Sequence, residues 1–217
     1  MDVFSAKRSE SNAWTLVPDR TAVLVVDMIR DFCDEDGLMP LPGAERLYPV
    51  QNAITDAARA RNAMVGWVVD CHRPGVRQDR EFLKRTPHCI EGTQGVEVMP
   101  QLERDAGDFL FVKRRYSAFF GTDLDLTLRD NQIDTLIVFG VVTNICVRST
   151  VHDAFFNGYR VVVPHDACAA TGPREQDSSL YDIATHFGVV TDSARTIAAL
   201  KGQGTLENLP EFETAPT

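Results

Sequence analysis

In the stretch GVVTNICV, residues 140 to 147, a thiol follows closely on an apolar run, TLIVFGVV, that reads as a buried strand, with Thr143 and Asn144 marking the turn between them. Cys146 is thereby expected in the first turn of a helix. Unpaired backbone N–H groups in such a turn, its own among them, can receive the oxyanion formed when a thiolate attacks a carbonyl, and a helix N-terminus with a nearby ammonium lowers a thiol pKa. Two further groups close apolar runs in the same way, Asp27 after TAVLVV and Lys113 after DFLFV. A carboxylate can take the thiol proton and later deliver it to a leaving nitrogen, while the ammonium biases the ionisation. Asp27, Lys113 and Cys146 thus read as an acyl-transfer set with no histidine base. Singly, each has a plainer reading, the cysteine as a small buried hydrophobe, the aspartate as a cap or turn residue, the lysine as a solvated strand end. Their common placement at strand ends argues for chemistry.

The elements that must position them alternate. Strands are expected over 21–27, 63–70, 108–113, 135–142, 159–164 and 189–191, separated by helical periodicity over 45–62, 123–133, the Cys146 helix to Asn157-Gly158, 175–188 and 193–202. Apolar strands alternating with helices imply a three-layer α/β/α sandwich around a mostly parallel sheet, in which ligands collect beyond the carboxyl ends of the strands. Asp70 and His72, after the second strand, join the three residues above at that rim.

At 217 residues and 44% hydrophobic content the chain is sized for one domain, read as an N-terminal extension over 1–20, a domain over 21–201 and a polar, proline-bearing tail over 202–217, expected to be a surface arm or disordered. A net charge of −9 disfavours nucleic acid and anionic membranes as partners. No apolar stretch has membrane-spanning length and the start lacks a secretory pattern, so a cytoplasmic location is expected. Cys33, Cys71, Cys89, Cys146 and Cys168 are widely spaced and odd in number, which reads as free thiols.

The segments TAVLVVDMIRDFC and FVKRRYSAFFGTDLDLTLRDNQIDTLIVFGVVTNICVRSTVHDAFFNGYRVVVPHDACAA resemble the isochorismatase-like cysteine hydrolases, a group that includes nicotinamidases, carbamoylsarcosine amidases and ureidoacrylate hydrolases. The resemblance runs from about residue 21 to 200. It implies a six-stranded, mostly parallel sheet, a catalytic triad falling on Asp27, Lys113 and Cys146, and a cis peptide carried over to Val141-Val142. The N–H groups of Val142 and Cys146 would form the oxyanion hole. Members that hydrolyse the vinyl ether isochorismate typically lack the cysteine, so its presence favours attack on an amide carbonyl. Asn144 stands where the family often has aspartate. The resemblance also implies oligomers, often dimers or tetramers.

Residues 68–97 look like the metal-binding segment of nicotinamidases. Asp70 and His72, two apart, point to one side, and His88 would close a facial set for zinc or another divalent ion; no organic cofactor is implied. The other reading, a polar turn with a hydrogen-bonded loop histidine, stays open at this point. The chain has Gln78 and Asp79 where many nicotinamidases carry a further histidine, and Arg85 where an aromatic often stands. Arg85 would meet a substrate carboxylate. Phe32 and Phe120 match aromatic pocket positions. His152, His165 and His186 are expected to be structural, and Asp166 to buttress loops.

The leading expectation is a cysteine amidohydrolase of a small carboxamide, with nicotinamide the first candidate and carbamoyl, ureido or lactam compounds as alternatives. A ligand-binding protein without turnover is the contrasting class. A thiol redox protein would lack a resolving cysteine at short spacing.

Overall fold

The computed structural model describes residues 13–213, and the greater part of the N-terminal extension and residues 214–217 lie outside them. The path of the sheet is β3-β2-β1-β4-β5-β7, all neighbours parallel, with β1 (Thr21–Val26), β2 (Met64–Asp70), β3 (Phe109–Lys113), β4 (Thr135–Val141), β5 (Arg160–Pro164) and β7 (Val189–Thr191). A two-residue strand, β6 (Cys168–Ala169), pairs with the end of β4, making seven strands where six were expected. It carries too few residues to leave a periodic signal in the sequence.

Every residue of β1 and β4 is buried, which is why both read as continuous apolar runs. The crossovers are α2 (Tyr48–Arg59), α3 (Leu124–Asp130), α4 (Arg148–Phe156) and α5 (Pro173–Asp182); α1 (Arg30–Cys33) is a single turn after β1, and α6 (Ser193–Leu200) follows β7. Asp192 caps α6 by accepting from the Arg195 N–H. None of these helices is long and apolar enough to cross a membrane.

At the other end of the sheet from the strand-end residues, Asp108 ties three elements together. Its buried carboxylate accepts from Arg59 Nη2 of α2 at 2.7 Å, Trp67 Nε1 of β2 at 2.8 Å and the Asp105 N–H at 3.0 Å. Burial would raise its pKa, but these donors outweigh that and hold it below the usual carboxylate value. A carboxylate depressed in the folded state contributes stability above its unfolded pKa, and that stability is lost as pH falls through the folded one. Asp108→Asn should therefore cost about 1–2 kcal/mol at neutral pH, at the low end because solvent reaches part of the site. Chemical denaturation should show the gap to wild type closing below about pH 4; a gap unchanged between pH 7 and 3 would contradict this account.

The tail departs from the sequence expectation. Leu206 is fully buried and bridges to Trp14, Asn208 Oδ1 accepts from the Val190 N–H at 2.7 Å, and the Leu209 N–H donates to the Val190 carbonyl at 2.9 Å. Residues 206–209 thus strap the β7 edge instead of forming a loose arm, satisfying backbone groups that an edge strand leaves bare. Composition hid this, because two leucines and one asparagine do the work.

Candidate active site

The parallel order places the ends of β1, β2, β3 and β4 side by side, with the chain leaving β1 toward β2 on one flank and β4 on the other. This is the switch point where open sheets bind ligands. Lys113 Nζ lies 2.9 Å from Asp27 Oδ2, 3.7 Å from Cys146 Sγ and 3.6 Å from Asp70 Oδ1. Besides burial, the negative charge of Asp27 bears on the Cys146 thiol and raises its pKa. All three residues are buried.

The backbone enforces this convergence. Asp27 has φ of 54°, donates its N–H to the Val68 carbonyl at 2.9 Å, and accepts from the Asp70 N–H at 2.9 Å, so its side chain is fixed against the end of β2. Gly140, with φ of 127°, lies against Val26, where a Cβ would collide with the Val26 carbonyl. Only glycine lets β4 approach β1 this closely just before the nucleophile loop. The Val141-Val142 peptide is cis. Cys146 sits in a π-turn, Thr143–Val147, that leads into α4, not in the first turn of the α-helix as expected. Asn144 holds that turn to the loop after β6, donating to Thr171 Oγ1 at 3.1 Å and accepting from the Thr171 N–H at 3.2 Å.

The charges balance differently from the simple sequence picture. Burial drives the Cys146 thiol well above its ordinary pKa, and Lys113 opposes this without overcoming it. The expected depression of the thiol is absent because burial and the Asp27 carboxylate together outweigh one ammonium. Burial likewise pushes Asp27 up to about 6 against the pull of Lys113. Burial would lower Lys113, but Asp27, Cys146 and Asp70 hold it well above its usual value. The resting state is a protonated thiol beside the Asp27 carboxylate, with the Lys113 ammonium between them, so the thiol proton leaves only as sulfur attacks.

A cavity of about 390 Å³ opens over Cys146. Phe32, Arg85, His88, Tyr116 and Val142 line it, together with residues 39 to 42. Phe32 and Arg85 therefore lie where the sequence placed them. Phe120 does not: it is 66% exposed and absent from the lining, because the loop after β3 turns at Ser117 and points it to solvent. Tyr116, four residues earlier, takes the aromatic place that the sequence had assigned to Phe120.

Beside Lys113, one ligand atom from each of Asp70, His72, Glu81 and His88 lies within 4.8 Å of all the others, and all four residues are buried. The Nδ1–H of His72 faces Asp79 Oδ2 at 2.8 Å and that of His88 faces the Thr86 carbonyl at 2.7 Å, which turns both Nε2 lone pairs inward. Asp70 Oδ1, His72 Nε2 and both Glu81 oxygens have no hydrogen-bond partner among the described residues. Burial and the neighbouring Asp70 push Glu81 up to about 7. Orphaned donors converging with their lone pairs inward, with crowded carboxylates, fit a divalent cation of borderline character such as zinc. Glu81 was missed in the sequence. The only signal was an acidic residue, in DREFL, nine positions after His72 on a loop with no periodicity.

The remaining candidates are peripheral. His152 stacks on Phe187 at 4.0 Å, His165 packs on Phe212, and Asp166 accepts from the Ser193 N–H, so each holds the scaffold. All five cysteines are free and buried.

The isochorismatase domain profile matches residues 21–195. A ureidoacrylate amidohydrolase of Cronobacter turicensis is 34% identical over 212 residues, which cover 87% of this chain and 91% of that protein. Among solved structures, a cysteine hydrolase from Pseudomonas syringae pv. phaseolicola superposes with a TM-score of 0.83 at 31% identity, covering 90% of this chain and 99% of that one. A pyrazinamidase of Pyrococcus horikoshii in complex with zinc gives a TM-score of 0.74 at 27% identity, covering 80% and 99%.

Proposed function

Since this chain belongs to the isochorismatase family and is a cysteine hydrolase of carbon–nitrogen bonds other than peptide bonds, we propose that it cleaves small carbamoyl or ureido amides through an acyl-enzyme on Cys146. The observation that carries the mechanism is the 2.9 Å and 3.7 Å reach of Lys113 to Asp27 and Cys146 beneath one cavity. Nicotinamide, the first candidate from sequence, gives way because the curated relatives are ureidoacrylate amidohydrolases.

Asp27 accepts the thiol proton as Cys146 Sγ adds to the amide carbonyl carbon, and the N–H groups of Val142 and Cys146 receive the oxyanion. Collapse breaks the C–N bond, and the proton held by Asp27 passes to the departing nitrogen, which leaves as ammonia or an amine. Water then gives a proton to Asp27 as its oxygen attacks the thioester carbon, and that proton returns to sulfur as the acid is released. Lys113 keeps its proton throughout and offsets the charge on Asp27 and sulfur. Phe32 and the apolar part of the lining exclude bulk water from the thioester.

A second reading, a heteroaromatic carboxamide, is favoured by the four-donor set beside the cavity and by the likeness to a zinc-bound pyrazinamidase. Asp70, His72, Glu81 and His88 would hold the ion, which would supply a Lewis-acid point to position a substrate lone pair or water. Ammonia release from ureido acids, maleamate, nicotinamide and pyrazinamide, measured before and after chelation, separates the two. The leading reading expects the ureido acids to be turned over at least tenfold better than the ring amides, and the reverse order would move the assignment. In the same preparation one divalent ion per chain should be measurable by elemental analysis, falling below one half in Glu81→Gln.

A further inference from the structure

We propose that Arg85 forms an anion subsite at the cavity mouth, selecting substrates that carry a carboxylate on the side away from the amide that Cys146 attacks. This rests on the amidohydrolase reading above and names the substrate class within it: small acid amides, not neutral ones.

Arg85 is the one arginine or lysine that lines the cavity over Cys146 among the described residues. Its neighbours along the site loops are engaged, Arg114 with Glu91 at 3.0 Å and Arg115 with Asp79 at 3.7 Å. Arg85 donates one Nη1 bond, 3.0 Å, to the adjacent Lys84 carbonyl, and no carboxylate among the described residues pairs with it. Its side chain is exposed at the mouth, so a guanidinium fork faces the cavity with most of its donors uncommitted. Tyr116 also stands on the lining.

Cys146 is buried beneath the cavity while Arg85 is exposed on the same lining, so the two ends of a bound amide meet different chemistry. The rest of the wall, Phe32, Val142, Ile145 and residues 39 to 42, offers no competing charge. A bound acid amide is therefore oriented with its carbonyl at Cys146 and its carboxylate at the mouth.

The test uses two isosteric pairs, 3-ureidopropanoate with 3-ureidopropanamide and succinamate with succinamide, in which a carboxylate becomes a carboxamide of the same shape. Wild-type enzyme should favour the acid in kcat/KM by roughly 10- to 100-fold, the range of a charge-assisted contact. In Arg85→Gln the acid-to-neutral ratio should collapse toward one, mainly through KM, and Arg85→Lys should restore part of it. A ratio that survives Arg85→Gln, or a wild type with no preference, would overturn the subsite. A second arm needs no turnover: the rate of Cys146 alkylation by iodoacetate relative to iodoacetamide, read by intact mass, should fall in Arg85→Gln by a similar factor. If the alkylation ratio falls while none of the four amides is hydrolysed, the subsite stands and the substrate reading fails. If the amides are hydrolysed with ratios indifferent to Arg85, the amidohydrolase stands and the subsite fails.

Discussion

Replacing Cys146 with alanine should lower amide turnover by about 10⁴-fold or more, because Cys146 is the one thiol on the cavity lining among the described residues. The other four cysteines are buried and absent from the cavity lining, and burial raises the pKa of Cys33, Cys89 and Cys168, holding them toward the unreactive thiol. Loss of one sulfur atom from a buried position costs about 1 kcal/mol, and in a chain of this size that shifts the melting temperature by only about 2–4 °C. The prediction is therefore specific: near-complete loss of activity with the fold kept. Mass spectrometry after exposure to an activated amide should show one adduct on the wild type and none on the variant. Ammonia release above background from the alanine protein, or an adduct on another cysteine, would remove Cys146 from the centre of the mechanism.

The second large effect is on stability. Lys113 is fully buried, and its charge is met by Asp27 at 2.9 Å with Asp70 and Cys146 beyond. Lys113→Met keeps the stem and removes the ammonium, leaving the buried Asp27 carboxylate without its cation. Breaking a buried pair from one side costs about 3–5 kcal/mol, more than most single substitutions. The Asp27→Asn, Lys113→Met double variant should recover part of that loss, since no orphaned charge remains on Asp27. Urea denaturation of the four proteins of the cycle gives the coupling directly. A single-variant cost under about 1 kcal/mol would mean that solvent, not Lys113, satisfies Asp27.

How much of this could be read from the residues depends on whether the signal was local. The strands were legible because burial on both faces writes an unbroken apolar run, as in TAVLVV and TLIVFGV. The convergence of Asp27, Lys113 and Cys146 was legible because they stand at or just beyond the ends of β1, β3 and β4, and parallel strands present their ends together. Glu81 and Tyr116 carried no comparable mark. They lie on irregular loops whose paths depend on distant contacts, such as the Asp31 carboxylate accepting from the Cys89 N–H at 2.5 Å and from the Leu38 N–H at 3.3 Å, 58 and 7 residues away. Phe120 misled for the same reason, since an aromatic in a loop has no period to fix its direction. The thiol pKa was misjudged because a linear chain shows which charges are present but not how completely water is excluded from them.

The strap at residues 206–209 has a consequence for biosynthesis. Those residues come after every strand and helix from β1 to α6, so as the chain is made the sheet assembles with the flank of β7 bare until the strap arrives. A nascent or truncated chain stopping near Lys201 would display an open row of amides and carbonyls next to Val190, a template for pairing with another molecule. Leu206 and Leu209 would then act as a closure against self-association as well as a part of the core.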